Sequence, residues 1–262
     1  MIKQDLKTLE EKSIYIIREA QMKFSNIAAL WSMGKDSTTM LALARKAFMG
    51  KIPFPVIHID NGIDFPETYA FREELSKKWG FKVIVGNSEI KPDLIGSACC
   101  GKNKPDTLKK IMKEYKFDAL IVSIRRDEHG IRAKERYMSP RDKDFKWDYK
   151  NQPAELWDDY ASKLDAAGHV RVHPLLDWNE LDVWNYIKKE RIPVNPLYFS
   201  RNGFRYRSLG CTHCTVALKS DAKNVDDIIK ELETTKQEER SGRSMDKEHE
   251  YAMQRLRALG YM

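Results

Sequence analysis

Six consecutive residues, Ser32-Met33-Gly34-Lys35-Asp36-Ser37, sit where an apolar run from Ile27 to Trp31 gives way to helix-forming residues from Thr38 to Met49. A tight turn that opens a helix leaves several backbone N–H groups unpaired and aimed at one point, where the helix dipole also favours negative charge. Such a turn is a phosphate cradle. Gly34 lets a ligand come close to the backbone, Lys35 adds a mobile positive charge, and the Ser32 and Ser37 hydroxyls can donate to phosphate oxygens. The spacing departs from the Walker loop, which requires Gly, four residues, then Gly-Lys-Ser/Thr. The plain alternative is an ordinary strand-to-helix turn with Asp or Ser as its cap.

A second group follows another apolar run: Ser123-Ile124-Arg125-Arg126-Asp127-Glu128, then Arg132, Lys134 and Arg136. Guanidinium groups a few ångströms apart repel one another unless something negative sits among them. A triphosphate or another oxyanion satisfies them, and arginine suits that task because its planar fork donates two parallel hydrogen bonds. Ion pairing with Asp127, Glu128 and Glu135 is the competing explanation.

The four cysteines form two groups, an adjacent pair Cys99-Cys100 and the turn Cys211-Thr212-His213-Cys214. A Cys-x-x-Cys turn presents two thiolates to one metal, and a tandem pair beyond a strand end can supply the rest. Zinc, an iron–sulfur centre and unmetallated thiols all remain open on spacing alone. His213 reads as a solvent-facing or supporting residue rather than a ligand.

These residues need a frame. Apolar runs at Ile27–Trp31, Val56–Ile59, Val83–Val85, Ala119–Ile124 and Val170–His173 alternate with helical segments, which predicts an α/β fold with a doubly wound, mostly parallel sheet. In such sheets ligands bind beyond the carboxyl ends of the strands, where Ser32–Ser37, Asp60–Pro66, Gly86–Cys100 and Arg125–Arg136 fall. Met1–Phe24 reads as an amphipathic helix with Leu6, Leu9, Ile16, Ile17 and Ala20 on one side. Tyr137–Gly168 lacks periodicity and reads as an irregular excursion. Trp178–Glu190 reads as a helix capped by Asp177, and Asn224–Met262 as one or two further helices. Two regions follow from this pattern: an α/β domain over 1–175 and a helical region over 176–262 that completes the site.

The 262 residues, 42% hydrophobic, suffice for a sizeable core. No run approaches the roughly 18 apolar residues that span a bilayer, and no secretory signal stands at the start, so a cytoplasmic protein without membrane contact is expected. The net charge of +7 points to an anionic partner. Arg191, Arg201, Arg205, Arg207 and Lys219 fall between 191 and 220 with no acidic residue among them, as an anion-facing surface requires.

The loop 32–37 resembles the Ser-Gly-Gly-x-Asp-Ser loop of N-type ATP pyrophosphatases, with Met33 in place of the first glycine. Together with ARKAFMGKIPFPVIHID (44–60), IRRDEHGIRAKERYMSPRDKDFKW (124–147), NQPAELW (151–157), the stretch His173–Tyr198 and ERSGR (239–243), it is similar over nearly the full length to subunit 2 of bacterial ATP sulfurylases. That family lies in the phosphoadenosine-phosphosulfate reductase superfamily. The resemblance implies transfer of adenylate from ATP to sulfate, giving adenosine phosphosulfate and pyrophosphate.

Carried over position by position, the resemblance assigns Ser32, Met33, Gly34, Lys35, Asp36 and Ser37 to the β and γ phosphates and His58, Ile59 and Asp60 to the adenosine end. It sets Arg125, Arg126 and Arg132 around the α-phosphate and sulfate, with Arg240 and Arg243 closing the pocket. Sulfate is a poor nucleophile, so catalysis rests on in-line placement and on neutralisation by Mg²⁺ and arginine, with no covalent step and no general base. The product is uphill, and in the family a GTP-hydrolysing partner subunit supplies the driving force. This chain runs directly from Phe199 to Gly210, where the family's longer form carries an insertion.

The cysteines resemble the [4Fe–4S] site of adenosine-phosphosulfate reductases, with zinc as the alternative at Cys99, Cys100, Cys211 and Cys214. Those reductases use a further cysteine near the C-terminus, and none follows Cys214, which argues against sulfonucleotide reduction. The same ATP chemistry also serves thiolation, as in DNA phosphorothioation, with a cysteine desulfurase and DNA as partners. A non-catalytic nucleotide- or nucleic-acid-binding module is the third reading.

Overall fold

All five apolar runs become neighbouring parallel strands, in a computed structural model that describes residues 5–88, 103–128, 130–147, 152, 155–156, 159–160, 168–235 and 239. Strands β1 (Ile27–Leu30), β2 (Val56–Asp60), β3 (Val83–Asn87) and β4 (Ala119–Ile121) alternate with helices. The intervening helices are α2 (Lys35–Ala47), α3 (Pro66–Trp79) and α4 (Lys104–Glu114), preceded by α1 (Leu6–Lys23). Strand β5 (Met138–Arg141), the short pair β6 (Glu155–Leu156) and β7 (Asp159–Tyr160), and β8 (His169–Val172) follow. The chain continues through α5 (Glu180–Glu190), the ribbon β9 (Phe204–Arg205) and β10 (Leu218–Lys219), and α6 (Val225–Thr234).

The six-stranded sheet runs β3-β2-β1-β4-β8-β5. From β1 the chain winds outward through β2 to β3, and then returns to the other side of β1 with β4. Chain direction therefore reverses between β1 and β4, and the loops leaving those two strands part there to open a crevice.

Side chains alternate across each strand, so the sheet buries two faces. Ile27, Ala29 and Val56 pack with α1, α2, α5 and α6 and with Phe71 and Leu75 of α3. Ala28, Ile57 and Leu120 pack under Leu108, Ile111 and Met112 of α4. The α1 positions Leu9, Ile16, Ile17 and Ala20 are buried as the helical period predicts. Ser13 on that helix donates to the Pro174 carbonyl (2.7 Å) and accepts from Trp178 Nε1 (2.9 Å), tying α1 to the exit of β8.

Three expectations are corrected. Helix α2 begins at Lys35 rather than Thr38, because Gly34 takes the extended cap conformation (φ −77°, ψ 164°) and Lys35, Asp36 and Ser37 form the first turn. Helix α5 begins at Glu180, capped by Asn179 and not Asp177; Asn179 Oδ1 accepts from Asp182 N (2.9 Å) and Asp182 Oδ2 accepts from Asn179 N (3.0 Å). The supposedly irregular excursion contributes β5, which joins the sheet antiparallel to β8, with Met138 opposite Val172 and Arg141 opposite His169. Met-Ser-Pro-Arg shows no alternation because its polar side chains are buried in an internal charge network. Arg141 Nη2 meets Glu135 Oε1 at 3.0 Å, Ser139 Oγ donates to Glu135 Oε2 (2.9 Å), and all three residues are fully enclosed.

Candidate active site

Trp31 fixes the start of the 32–37 loop. Its amide donates to the Ile57 carbonyl (2.9 Å), its indole N–H donates to Thr38 Oγ1 (3.1 Å), and its ring lies edge-on to Phe81 at 5.4 Å. Met33 then takes a left-handed backbone (φ 56°), the conformation a family glycine accommodates without strain, and buries its side chain in the core. Ser32 N donates to Ser37 Oγ (3.3 Å), and the two hydroxyls stand 3.2 Å apart. A Cβ on Gly34 would lie 3.4 Å from both Ser32 Oγ and Tyr198 Oη, filling the space among these groups. The Lys35 amide, first of the helix, donates to Tyr198 Oη at 2.8 Å.

Two cations converge over this turn from opposite sides of the crevice. Lys35 comes from the end of β1, and its Nζ lies 3.1 Å from Asp36 Oδ2 and 4.0 Å from Glu180 Oε1. Arg125 comes from the end of β4; its Nε meets Asp127 Oδ1 at 2.9 Å, and another guanidinium nitrogen pairs with Asp36. Both Lys35 and Arg125 also pair with the carboxylate of Glu239, one oxygen each. Burial opposes ionisation of Glu239, but Arg125 and Lys35 outweigh it and hold the carboxyl far below the usual range. Burial likewise opposes the charge on Arg125, and Glu239 and Asp127 overcome it, raising the guanidinium above its ordinary value. Glu180 is itself gripped by Arg207, whose Nη2 lies 2.7 Å from Oε2.

Arg126 points elsewhere. The Arg126 guanidinium pairs with Asp177 and lies over the Tyr137 ring at 5.3 Å, and Lys12 reaches the same carboxylate at 2.9 Å. Arg132 pairs with Glu128, whose other carboxylate oxygen lies 3.8 Å from Arg125 Nη1, so Arg132 stands beside Arg125. Arg240 and Arg243 lie outside the described residues. Thus Arg125 reaches the crevice with Arg132 beside it across Glu128, while Arg126 holds the connection that follows.

At the end of β2, the side chains of His58 and Asp60 turn toward α3. His58 Nδ1 lies 3.4 Å from the Trp31 carbonyl; burial, followed by the Arg72 charge, pushes the imidazole down to about 4, so it is neutral at pH 7. Asp60 Oδ1 accepts from Gly62 N (2.7 Å) and Tyr69 Oη (2.9 Å), and Oδ2 accepts from Arg72 (3.3 Å). Ile59 packs on the opposite face, under α4.

Cys211 and Cys214 are buried in one turn, where the Cys214 amide donates to the Cys211 carbonyl (3.1 Å). Thr212 docks this turn on the loop after β2, donating through its amide (3.0 Å) and its hydroxyl (2.9 Å) to the Ile63 carbonyl. His213 faces solvent, as expected. Cys99 and Cys100 lie outside the described residues.

For three of its five cations the basic stretch 191–220 is corrected as an anion-facing surface, while Arg191 and Lys219 are exposed. Arg205 and Arg207 are buried against Glu231 and Glu180, and Arg201 pairs with Glu67. Its acidic partners come from distant sequence, so local charge counting missed them. Sequence reasoning also missed Tyr198, Glu180 and Glu239 as groups facing the turn. All three lie within the quoted stretches 173–198 and 239–243, but nothing local marks them as facing a turn distant in sequence.

Residues 26–217 match the model of the phosphoadenosine phosphosulfate reductase domain. The chain is 39% identical to sulfate adenylyltransferase subunit 2 of Bacteroides fragilis, covering 98% of this chain and 97% of the relative. It is 41% identical to sulfate adenylyltransferase subunit 2 of a Marinomonas species, with the same coverage. Both alignments, 293 and 292 positions long, exceed the 262 residues present, as the expected insertion in longer relatives requires. Among solved structures, phosphoadenylyl-sulfate reductase of Candida auris superposes with a TM-score of 0.56 at 17% identity, covering 82% of this chain and 99% of that one. FMN adenylyltransferase of Candida glabrata gives 0.59 at 18% identity, covering 82% and 67%. At these identities the structural likenesses speak for the fold.

Proposed function

The chain belongs to the phosphoadenosine phosphosulfate reductase domain family, within its sulfate adenylyltransferase subunit 2 branch, and from that premise we propose how its residues carry out adenylyl transfer. The enzyme is a nucleotidyltransferase that joins the adenylate of ATP to sulfate and releases pyrophosphate. A sulfate oxygen attacks the α-phosphorus, the bond to the bridging oxygen of the β-phosphate breaks, and no proton needs to move.

The observation that carries the residue assignment is the convergence of Lys35 and Arg125 on one carboxylate across the crevice between β1 and β4. Two buried cations that already hold an anion are placed to hold a phosphoryl oxygen instead. In this reading Ser32, Gly34, Lys35 and Ser37 receive the departing pyrophosphate, and Arg125 faces the reaction centre. Preorganised charge of this kind stabilises the transition state without reorganisation. Asp36, whose carboxylate lies between the two cations, is positioned to orient them and to hold Mg²⁺, which would neutralise the triphosphate. The main chain at Ile59–Asp60 is left for the adenosine end. Arg126 positions the 125–136 connection, Arg132 flanks Arg125 through Glu128, and Arg240 and Arg243 close the pocket from the tail.

Residues 176–262 complete the site on this account, since Glu180, Tyr198 and Glu239 all belong to them. The relatives are named as subunit 2, which implies a partner subunit; a GTP-hydrolysing one would drive the uphill product. Among the described residues no helix is long and apolar enough to cross a membrane, and a cytoplasmic location is part of this reading.

The buried turn at Cys211 and Cys214 fits thiolate ligation, and Cys99 and Cys100 would supply the remaining ligands of a [4Fe–4S] cluster or, alternatively, of zinc. A cluster there would supply a covalent tie between two loops and a store for an electron. That turn also favours a second reading, ATP-dependent thiolation with a cysteine desulfurase and DNA.

The test is pyrophosphate release from MgATP. Release that requires sulfate and disappears in Ser37→Ala supports adenylyl transfer. Release that requires DNA and a desulfurase supports the second reading. Nucleotide binding with no release under either condition overturns both.

A further inference from the structure

Between the end of β2 and the start of α3 lies a group of side chains that the adenylyl-transfer chemistry does not use. His58 Nε2 and carboxylate oxygens of Asp60 and Asp64 all lie within 4.8 Å of one another. His58 is 2% exposed, and its Nε2 has no hydrogen-bond partner. No hydrogen bond reaches the Asp64 carboxylate among the described residues, although its side chain is only 7% exposed.

The tautomer makes this arrangement informative. His58 Nδ1 faces the Trp31 carbonyl, an acceptor, so the ring proton sits on Nδ1 and the Nε2 lone pair points outward. That lone pair looks at Asp64 Oδ2 across 3.9 Å, too far for a hydrogen bond. Two lone pairs facing each other in a buried space repel unless a cation lies between them. Histidines that bind metal characteristically donate their other ring N–H to a backbone carbonyl, the relation His58 has with Trp31.

The spacing agrees. Ligand atoms about 2.1 Å from a shared zinc ion stand about 3 to 4 Å from each other. Asp60 keeps a place free: Oδ1 takes two donors, whereas Oδ2 takes one from Arg72 and retains a lone pair. Glu67, Tyr69, Arg72, Lys104 and Cys211 are charged or titratable groups around this loop, from α3, α4 and the thiol turn.

We propose that His58, Asp60 and Asp64 form a divalent transition-metal site of the zinc class, separate from the four cysteines. One imidazole and two carboxylates suit zinc better than magnesium or calcium, which take oxygen ligands. The ion would fasten the loop after β2, the same loop on which Thr212 docks the thiol turn. The proposal stands independently of the acceptor that the enzyme adenylylates.

The experiment uses the full-length chain, stripped with a chelator and titrated with Zn²⁺ by equilibrium dialysis without nucleotide. It is run in a Cys211→Ser/Cys214→Ser background so that the thiol turn contributes nothing. One equivalent of zinc is expected there, with affinity at least tenfold weaker after Asp64→Asn or His58→Gln is added. Co²⁺ in the same site should show ligand-field absorption without a thiolate charge-transfer band. Far-UV circular dichroism of the metal-free variants checks their fold, and Asp64→Asn changes size least. No zinc bound by the double cysteine variant, or affinity unchanged by both added substitutions, would overturn the site and leave a bridging water. Sulfate-dependent pyrophosphate release is measured separately, so failure of the transferase reading would not mimic either result.

Discussion

The Tyr198 hydroxyl accepts the backbone proton of Lys35 at 2.8 Å, so a side chain from after α5 occupies the first free amide of α2. That amide is one of those a phosphate would seek. Tyr198→Phe should cost the nucleotide-free protein about 1 kcal/mol, the usual worth of one hydrogen bond. The rise in melting temperature on adding MgATP should then exceed that of the wild type, because the amide no longer changes partners. Equal rises in both proteins would show that the phenol does not compete with phosphate.

Lys35 and Arg125 are assigned the charge that develops during transfer. Lys35→Ala and Arg125→Ala should each lower the rate of sulfate-dependent pyrophosphate release by about 10² to 10³. Arg125→Lys should fall in between, since it keeps the charge and loses the fork. A kinetic assay with saturating MgATP decides this; wild-type turnover in Arg125→Ala would remove Arg125 from the chemistry.

Glu239 holds the two cations that ATP would claim. Glu239→Gln keeps the shape and removes the charge, so the dissociation constant for MgATP should fall about tenfold, or about 1.4 kcal/mol. Calorimetric titration is the measurement. Unchanged or weaker binding would mean that the carboxylate is no competitor.

The histidines at the β8 edge make stability depend on pH. Burial lowers His173 to about 4 and His169 to about 2, against an unfolded value near 6.5. The unfolded chain therefore takes up protons first, and stability present above pH 6.5 is lost as the pH falls toward those folded values. At pH 5 each group costs about 2 kcal/mol. Urea midpoints at pH 7 and pH 5 should differ accordingly. His169→Leu, which removes two buried ring nitrogens without partners, should narrow that difference. Identical midpoints for the wild type would refute the linkage.

The parallel core and the Ser32–Ser37 turn were legible because each is written in contiguous residues: apolar runs of strand length, then a glycine before a polar helix start. Met33 was legible as the stand-in for a family glycine, and its left-handed backbone (φ 56°) gives the physical reason a glycine suits that place. The start of α2 was misjudged because polar first-turn residues look like loop until Gly34 is seen to cap them. Strand β5 escaped because Ser139 and Arg141 satisfy each other inside the protein, which erases the apolar signature of burial. Glu239 was out of reach for a different reason. Its partners stand 204 and 114 positions away, and nothing local marks which carboxylate a chain will fold back.

The last strand of the sheet has a consequence for assembly. Beyond β5 the chain doubles back at once, so that Arg141 bridges Trp147 and the Asp142 amide donates to the Lys146 carbonyl at 3.0 Å. Pro140, midway along the strand, has no proton to offer a newcomer. This margin is therefore closed to strand-by-strand stacking of a second copy, and any neighbour must approach through side chains rather than through the backbone ladder.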